Sequence, residues 1–137
     1  PLAQKLLERE LRRAAGDEWM VPAVESAGLQ ASPGLPATDH AIAALAERGL
    51  DLSEHRTRPA DRALLERVEL ALGMTQRHVE ALGERAAGRP LQIELFDPAG
   101  RDVEDPFGGT AAEYRSVTAA LERMAKERAR LLMEACT

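Results

Sequence analysis

A chain of 137 residues with a net charge of −5 suits one compact domain and lacks the basic surplus of a general nucleic-acid binder. Hydrophobic residues make up 45% of it and aromatics only 3%, so a real core is available but must be built from Leu, Ala, Val and Ile. The single cysteine excludes a disulfide framework within the chain and favours a cytoplasmic setting. No apolar run reaches the roughly 18 residues needed to span a membrane, and the opening residues lack a signal-peptide pattern. The first residue is Pro1 rather than Met, so the chain is expected to be processed, trimmed or incomplete at that end.

Residues 1–15 are expected to form a helix, with Leu2, Leu6, Leu7 and Leu11 on one face, Pro1 at a tolerant first position and Gly16 as the stop. Residues 19–27 carry Trp19, Met20, Val21, Ala23 and Val24 and read as a strand, placed at an edge or started late by Pro22. Ser32, Pro33, Gly34 and Pro36 mark 29–37 as a loop. Thr38 or Asp39 is placed to cap a helix over 40–48, with Gly49 as its stop. The polar stretch 51–59 reads as irregular, and Asp61 opens a short helix to residue 66. The apolar run 68–74 predicts a buried strand, 75–87 a helix and 91–96 a further strand. A Pro-, Gly- and Asp-rich loop over 97–109 then leads into one long helix, 110–135, with Tyr114, Val117, Leu121, Met124, Leu131 and Leu132 turned inward. The mixed charges over 122–130 read as its solvated face.

Strands alternating with helices predict an α/β fold: a three-layer arrangement with a parallel sheet covered by helices on both faces. Such a fold normally opens on a strand feeding the first helix. This chain starts at the helix, so the sheet is expected to lack its first strand, within a single domain over residues 1–137 that is N-terminally incomplete.

Several segments, taken in order, resemble the low-molecular-weight protein tyrosine phosphatase family. Pro1-Leu2-Ala3-Gln4 is similar to the start of the helix behind that family's phosphate loop, and Glu25-Ser26-Ala27-Gly28 to the end of its second strand. The stretch from Asp51 to Pro59, with His55 and Arg58, resembles its His-x-x-Arg segment, and Leu72-Gly73-Met74-Thr75 followed by His78 its third strand and next turn. The most specific match is Asp105-Pro106-Phe107-Gly108-Gly109, which resembles the general-acid loop. The family's Cys-x5-Arg-Ser signature would end where these residues begin. The nucleophile and the phosphate-binding arginine are therefore expected to lie outside them, and the 137 residues alone are expected to be inactive.

The resemblance implies a phosphatase that acts on a phosphorylated protein side chain through a cysteinyl-phosphate, with no cofactor, no metal and no nucleic-acid or membrane partner. It implies Asp105 as the acid that protonates the leaving group, and Phe107 as a wall of the substrate pocket. It also implies His55 and Ser26 as supports of the phosphate loop. The Phe-Gly-Gly version is similar to the bacterial branch that acts on phosphoarginine, where tyrosine-directed members often carry Tyr. Read by itself, Asp105-Pro106 is also a common turn opening, Phe107 also suits a loop aromatic tucked into the core, and His55 also suits an exposed site. Arg58 and Ser26 are weaker candidates, and each also suits a structural role. Cys136 has no adjacent activating group and is not expected to be catalytic. His40, His55 and His78 are too scattered for a zinc site. Two other functions compete: arsenate reductase of the same fold, which needs more cysteines than Cys136, and a non-catalytic phosphate-binding or regulatory domain.

Overall fold

The computed structural model describes residues 1–16, 22–29, 32–86 and 88–135. In chain order its elements are α1 (Leu2–Ala15), α2 (Asp39–Ala46), α3 (Arg62–Leu65), β1 (Leu70–Gly73), α4 (Gln76–Ala86), β2 (Gln92–Leu95) and α5 (Ala111–Ala135). They group into two compact units, each assembled from separate stretches of chain. One comprises Pro1–Ser26, Pro36–His55 and Asp105–Thr137; the other comprises Ala27–Leu35 and Arg56–Glu104.

The first unit is helical. α1 forms where the sequence places it, because Leu2, Leu6, Leu7, Leu11 and Ala15 recur at helical spacing, and all five are buried. Each fully buried leucine contributes about 1.5–3 kcal/mol. α1 packs along α5, and α2 packs on α5 as well. Thr38 caps α2, its side chain accepting from the Ala41 amide.

The buried stripe of α5 differs from the expected one. Tyr114 and Leu121 are buried as predicted, but Val117, Met124, Leu131 and Leu132 are only half-buried. The fully buried positions between and beyond them are Thr118, Ala125, Ala129 and Met133. α1 already supplies a row of leucines, and the spacing of two packed helices depends on the side chains that meet, so small residues on α5 let the axes close.

The charge run over 122–130 is not simply a solvated face. Arg128 is buried, and Glu122 is half-buried between two arginines. Arg9 Nη2 donates to Glu122 Oε2 at 2.5 Å, and Arg48 Nε lies 3.4 Å from the same oxygen. Glu10 is buried beside them and takes Arg9 and Arg13 at 3.1 Å each.

The second unit is a β-α-β motif. β1 and β2 pair in parallel, with Leu70 opposite Gln92 and Gly73 opposite Leu95, and α4 crosses between them and packs on both. Both strands fall inside their predicted ranges and are shorter. Past Gly73 the chain turns to the 97–103 loop, where Val103 N donates to Met74 O at 2.8 Å and Gln76 N to Asp102 Oδ1 at 3.0 Å. Ala60, Leu65 and Leu82 form the buried centre, with Leu29, Ala71, Leu91 and Ile93 packed around it.

The strand expected over 19–27 is not found in its described part. Trp19, Met20 and Val21 lie outside the described residues. Residues 22–27 keep a strand's alternation, with Pro22, Val24 and Ser26 half-buried and Ala23, Glu25 and Ala27 exposed, but they join no β ladder. Pairing begins only at Gly28, in a parallel bridge to Pro59 built from Gly28 N to Arg58 O at 2.9 Å and Ala60 N to Gly28 O at 2.8 Å. Arg85 fastens this bridge by donating to Ala60 O at 2.9 Å and Leu29 O at 2.5 Å. The polar stretch read as irregular is thus held by backbone bonds at its far end.

The Arg9 hydrogen bond holds the Glu122 carboxyl below its ordinary value of 4.5, so the carboxylate stabilises the fold. That contribution is complete above the unfolded-state pKa and is lost as pH falls through the depressed folded value. Glu122→Gln is expected to cost about 1–3 kcal/mol near neutral pH. The gap from the parent should close in acid, as read by urea denaturation at a series of pH values. Leu6→Ala, which opens a cavity instead, is expected to cost about 2–5 kcal/mol with no such closure.

Candidate active site

The four residues singled out in the sequence, Ser26, His55, Asp105 and Phe107, all fall in the first unit. Asp105 is exposed and opens a tight turn ahead of α5. Its Oδ1 accepts from the Phe107 amide at 3.0 Å, and the Gly109 amide closes the turn on Pro106 O at 2.7 Å. Thr110 then caps α5, its Oγ1 accepting from Glu113 N at 3.2 Å. One carboxylate oxygen of Asp105 is therefore committed as an acceptor, which leaves Oδ2 as the oxygen able to carry a transferable proton.

Asp105 also meets the start of α1. The Pro1 ring is exposed, yet its nitrogen is walled in by protein and lies within reach of the Asp105 charge. The first turn of α1 carries no acidic residue, and Pro1 supplies no side-chain cap. That helix end therefore presents N–H groups without a competing carboxylate on its own turn.

Ser26 reaches the same turn through Gln4. Its hydroxyl donates to Gln4 Oε1 at 2.5 Å, and Gln4 Nε2 donates to Val24 O at 3.2 Å and Glu8 Oε1 at 3.0 Å. Gln4 is the residue that sequence reasoning passed over. Its signal was a single polar side chain in the first turn of α1, too common a pattern to stand out.

Phe107 is 75% exposed, which rules out the alternative of a loop aromatic tucked into the core. Its ring is offered to solvent beside Asp105. His55 is half-buried at the end of a turn in which its amide donates to the buried Leu52 at 3.1 Å. The same turn is ordered by Asp51, whose Oδ1 accepts from Ser53 Oγ at 2.6 Å and Ser53 N at 2.8 Å. Those bonds lower the Asp51 pKa. The structure thus brings Ser26 and Asp105 to the N-terminal turn of α1, and holds His55 in the 52–55 turn.

Among the described residues, no three His, Cys, Asp or Glu side chains come together to hold a metal ion. His40 instead packs on Tyr114, with ring centroids 5.4 Å apart. Among the same residues, no helix is long and apolar enough to cross a membrane. Cys136 lies outside the described residues.

Residues 1–135 match the family described as low molecular weight phosphotyrosine protein phosphatase. The chain belongs to that family. It is 31% identical over 136 residues to a protein-arginine-phosphatase of Bacillus subtilis (strain 168), covering 96% of this chain and 87% of the relative. It is 34% identical over 137 residues to the low molecular weight protein-tyrosine-phosphatase Wzb of Escherichia coli (strain K12), covering 96% of this chain and 86% of that one. Among solved structures, a YwlE mutant from Bacillus subtilis superimposes with a TM-score of 0.86 at 30% identity, covering 97% of this chain and 89% of that one. The likeness spans both compact units, so the family's α/β fold is the frame that carries the Asp105 turn and the α1 start.

Gln4 links α1 to the 22–26 segment, which has no ladder to hold it. Gln4→Ala is expected to lower stability by about 1–2 kcal/mol, because several hydrogen bonds are lost together. Ser26→Ala should add little to that loss in the Gln4→Ala background, since the two share one contact. Thermal unfolding of the two single variants and the double variant checks both outcomes.

Proposed function

We propose that this chain is the body of a protein phosphatase that removes phosphate from a phosphorylated side chain, arginine ahead of tyrosine, through a cysteinyl-phosphate. Asp105 serves as the general acid. The observation that carries this reading is the placement of Asp105: a carboxylate fixed by its own turn, at the N-terminal end of α1, with one oxygen free.

The chemistry divides into three demands. A thiolate must attack phosphorus, a set of N–H donors with an arginine must hold the phosphoryl oxygens, and an acid must protonate the departing atom. The start of α1 suits the second demand, because helix N–H groups and the helix dipole favour an anion there. Asp105 suits the third: its Oδ2 proton passes to the leaving nitrogen or oxygen as the P–N or P–O bond breaks and the S–P bond forms. The resulting carboxylate is then placed to take a proton from the water that hydrolyses the cysteinyl-phosphate.

The thiolate and arginine of this reading belong to a Cys-x5-Arg-Ser loop leading into Pro1. Cys136 is the only cysteine among the 137 residues and is not assigned the role. Ser26 and His55 are read as supports of that loop, Ser26 through Gln4. A strand ahead of the loop would give residues 22–27 a ladder partner, so the three-layer sheet belongs to the same proposal.

Phe107 offers an open aromatic face to the leaving group. A guanidinium stacks on such a face with cation–π attraction of about 0.5–2 kcal/mol, while a phenol gains a comparable amount from ring contact. The ring therefore accepts either substrate. The Phe107-Gly108-Gly109 sequence and the arginine-phosphatase relative favour arginine; the Wzb relative keeps tyrosine in view.

Two measurements test this. The 137 residues alone are expected to show no turnover on p-nitrophenyl phosphate or phosphoarginine; turnover abolished by Cys136→Ser would overturn the assignment of the nucleophile. In a chain whose α1 is preceded by the Cys-x5-Arg-Ser loop, Asp105→Asn is expected to cost roughly 10²–10⁴-fold on a poor leaving group. The loss should be smaller on p-nitrophenyl phosphate, whose leaving group departs as a stable anion. Small and equal losses would mean that Asp105 is an ordinary turn residue.

A further inference from the structure

The acid turn contains one position with no room for a side chain. A Cβ on Gly109 would lie 2.8 Å from Pro106 O, and it would also run into the Glu113 carboxylate. The two contacts differ in what they allow. Glu113 is exposed and can swing aside. Pro106 O is backbone, and it is the same oxygen that accepts the Gly109 amide at 2.7 Å. A methyl group at Gly109 therefore forces the turn itself to open.

That turn is what presents the Phe107 amide to Asp105 Oδ1. It also runs without a break into Thr110, which caps α5. Gly108 contributes differently. Its φ is +80°, and a Cβ there would meet nothing within 4 Å. It is needed for a left-handed backbone, a requirement Asn can also meet, and not for space.

We propose that Gly109 is a positioning residue for the general acid: its missing side chain lets Pro106 O close on the turn, and this fixes the Asp105 carboxylate relative to the start of α5. The inference rests on the reading of Asp105 as the acid. Gly109 touches neither substrate nor phosphate in this scheme and acts only through the turn.

The test uses a chain carrying the Cys-x5-Arg-Ser loop and compares phenyl phosphate, a poor leaving group, with p-nitrophenyl phosphate. Gly109→Ala is expected to lower kcat on phenyl phosphate by about tenfold to a hundredfold, part of the roughly 10²–10⁴ that a positioned acid supplies. KM should stay near the parent value, and kcat on p-nitrophenyl phosphate should fall much less. Gly108→Asn, which preserves the turn, is expected to keep the parent's ratio of the two rates. A Gly109→Ala protein with an unchanged ratio, or with equal losses on both substrates, overturns the proposal. If Gly109→Ala does not fold, Gly108→Ala strains the same turn more gently and should shift the ratio in the same direction; an unchanged ratio there also overturns it. Asp105→Asn separates the two ideas. A parent-like ratio in Asp105→Asn removes the acid reading and this inference with it. A collapsed ratio in Asp105→Asn beside an unchanged one in Gly109→Ala removes only the role of Gly109.

Discussion

α1 turns Leu2, Leu6, Leu7 and Leu11 into the first unit, and α5, against which it packs, buries Thr118, Leu121, Ala125 and Ala129. Large residues on one helix and small ones on the other let the two axes approach closely. This contact places the candidate site, because both of its working parts sit at helix starts. Pro1 and Gln4 lie at the beginning of α1, and the Asp105 turn leads directly into α5. Asp105 lies near the start of α1, and Arg9 farther along α1 pairs with Glu122 farther along α5. The two helices therefore begin at the same end, and packing between them sets the distance from Asp105 to the α1 N-terminus.

The charges inside this contact determine how the helices register. Glu122 is shared by Arg9 of α1 and by Arg48, just beyond α2, so one carboxylate ties three helical segments together. Removing charges from water is costly, and a buried pair is not in itself a large source of stability. Its value is in what it forbids. A slip of one turn between α1 and α5 would part Glu122 from Arg9 and leave that carboxylate partly buried without it. Apolar packing of leucine on alanine discriminates less sharply between neighbouring registers. Arg9 Nε, buried without a hydrogen-bond partner, marks the cost accepted for that arrangement.

Helix periodicity made α1 legible in the sequence, and the polar caps Thr38 and Asp61 marked α2 and α3. The inner face of α5 was harder to read, because ranking residues by hydrophobicity favours Met124 and Leu132 over Ala125 and Ala129. What decides burial there is the size of the opposing residue, and that belongs to α1. Residues 22–27, the described part of the run over 19–27, form no strand for a related reason: an apolar run predicts which side chains turn inward, while a strand also needs a backbone partner. Asp105 and Phe107 could be found from a short motif, since their turn is local. Gln4 could not, because its meaning comes from Ser26 and Val24, some twenty residues away in the chain.

A phosphatase of this kind has to keep an anion site and a proton donor close together without letting them neutralise each other. A carboxylate placed on the helix turn that receives the phosphate would compete with it for the same N–H groups. The first turn of α1 carries no acidic residue, and the proposed acid, Asp105, comes from a separate loop at the head of α5. That loop spends one Asp105 oxygen on its own backbone, through the Phe107 amide, so that oxygen is not left to compete for the α1 N–H groups. Orientation is thus set by local geometry at Asp105-Pro106-Phe107, and distance by the packing of α1 on α5. Because these two controls rest on different residues, the acid can be aimed by changes in the turn without disturbing the core that holds both helices in place.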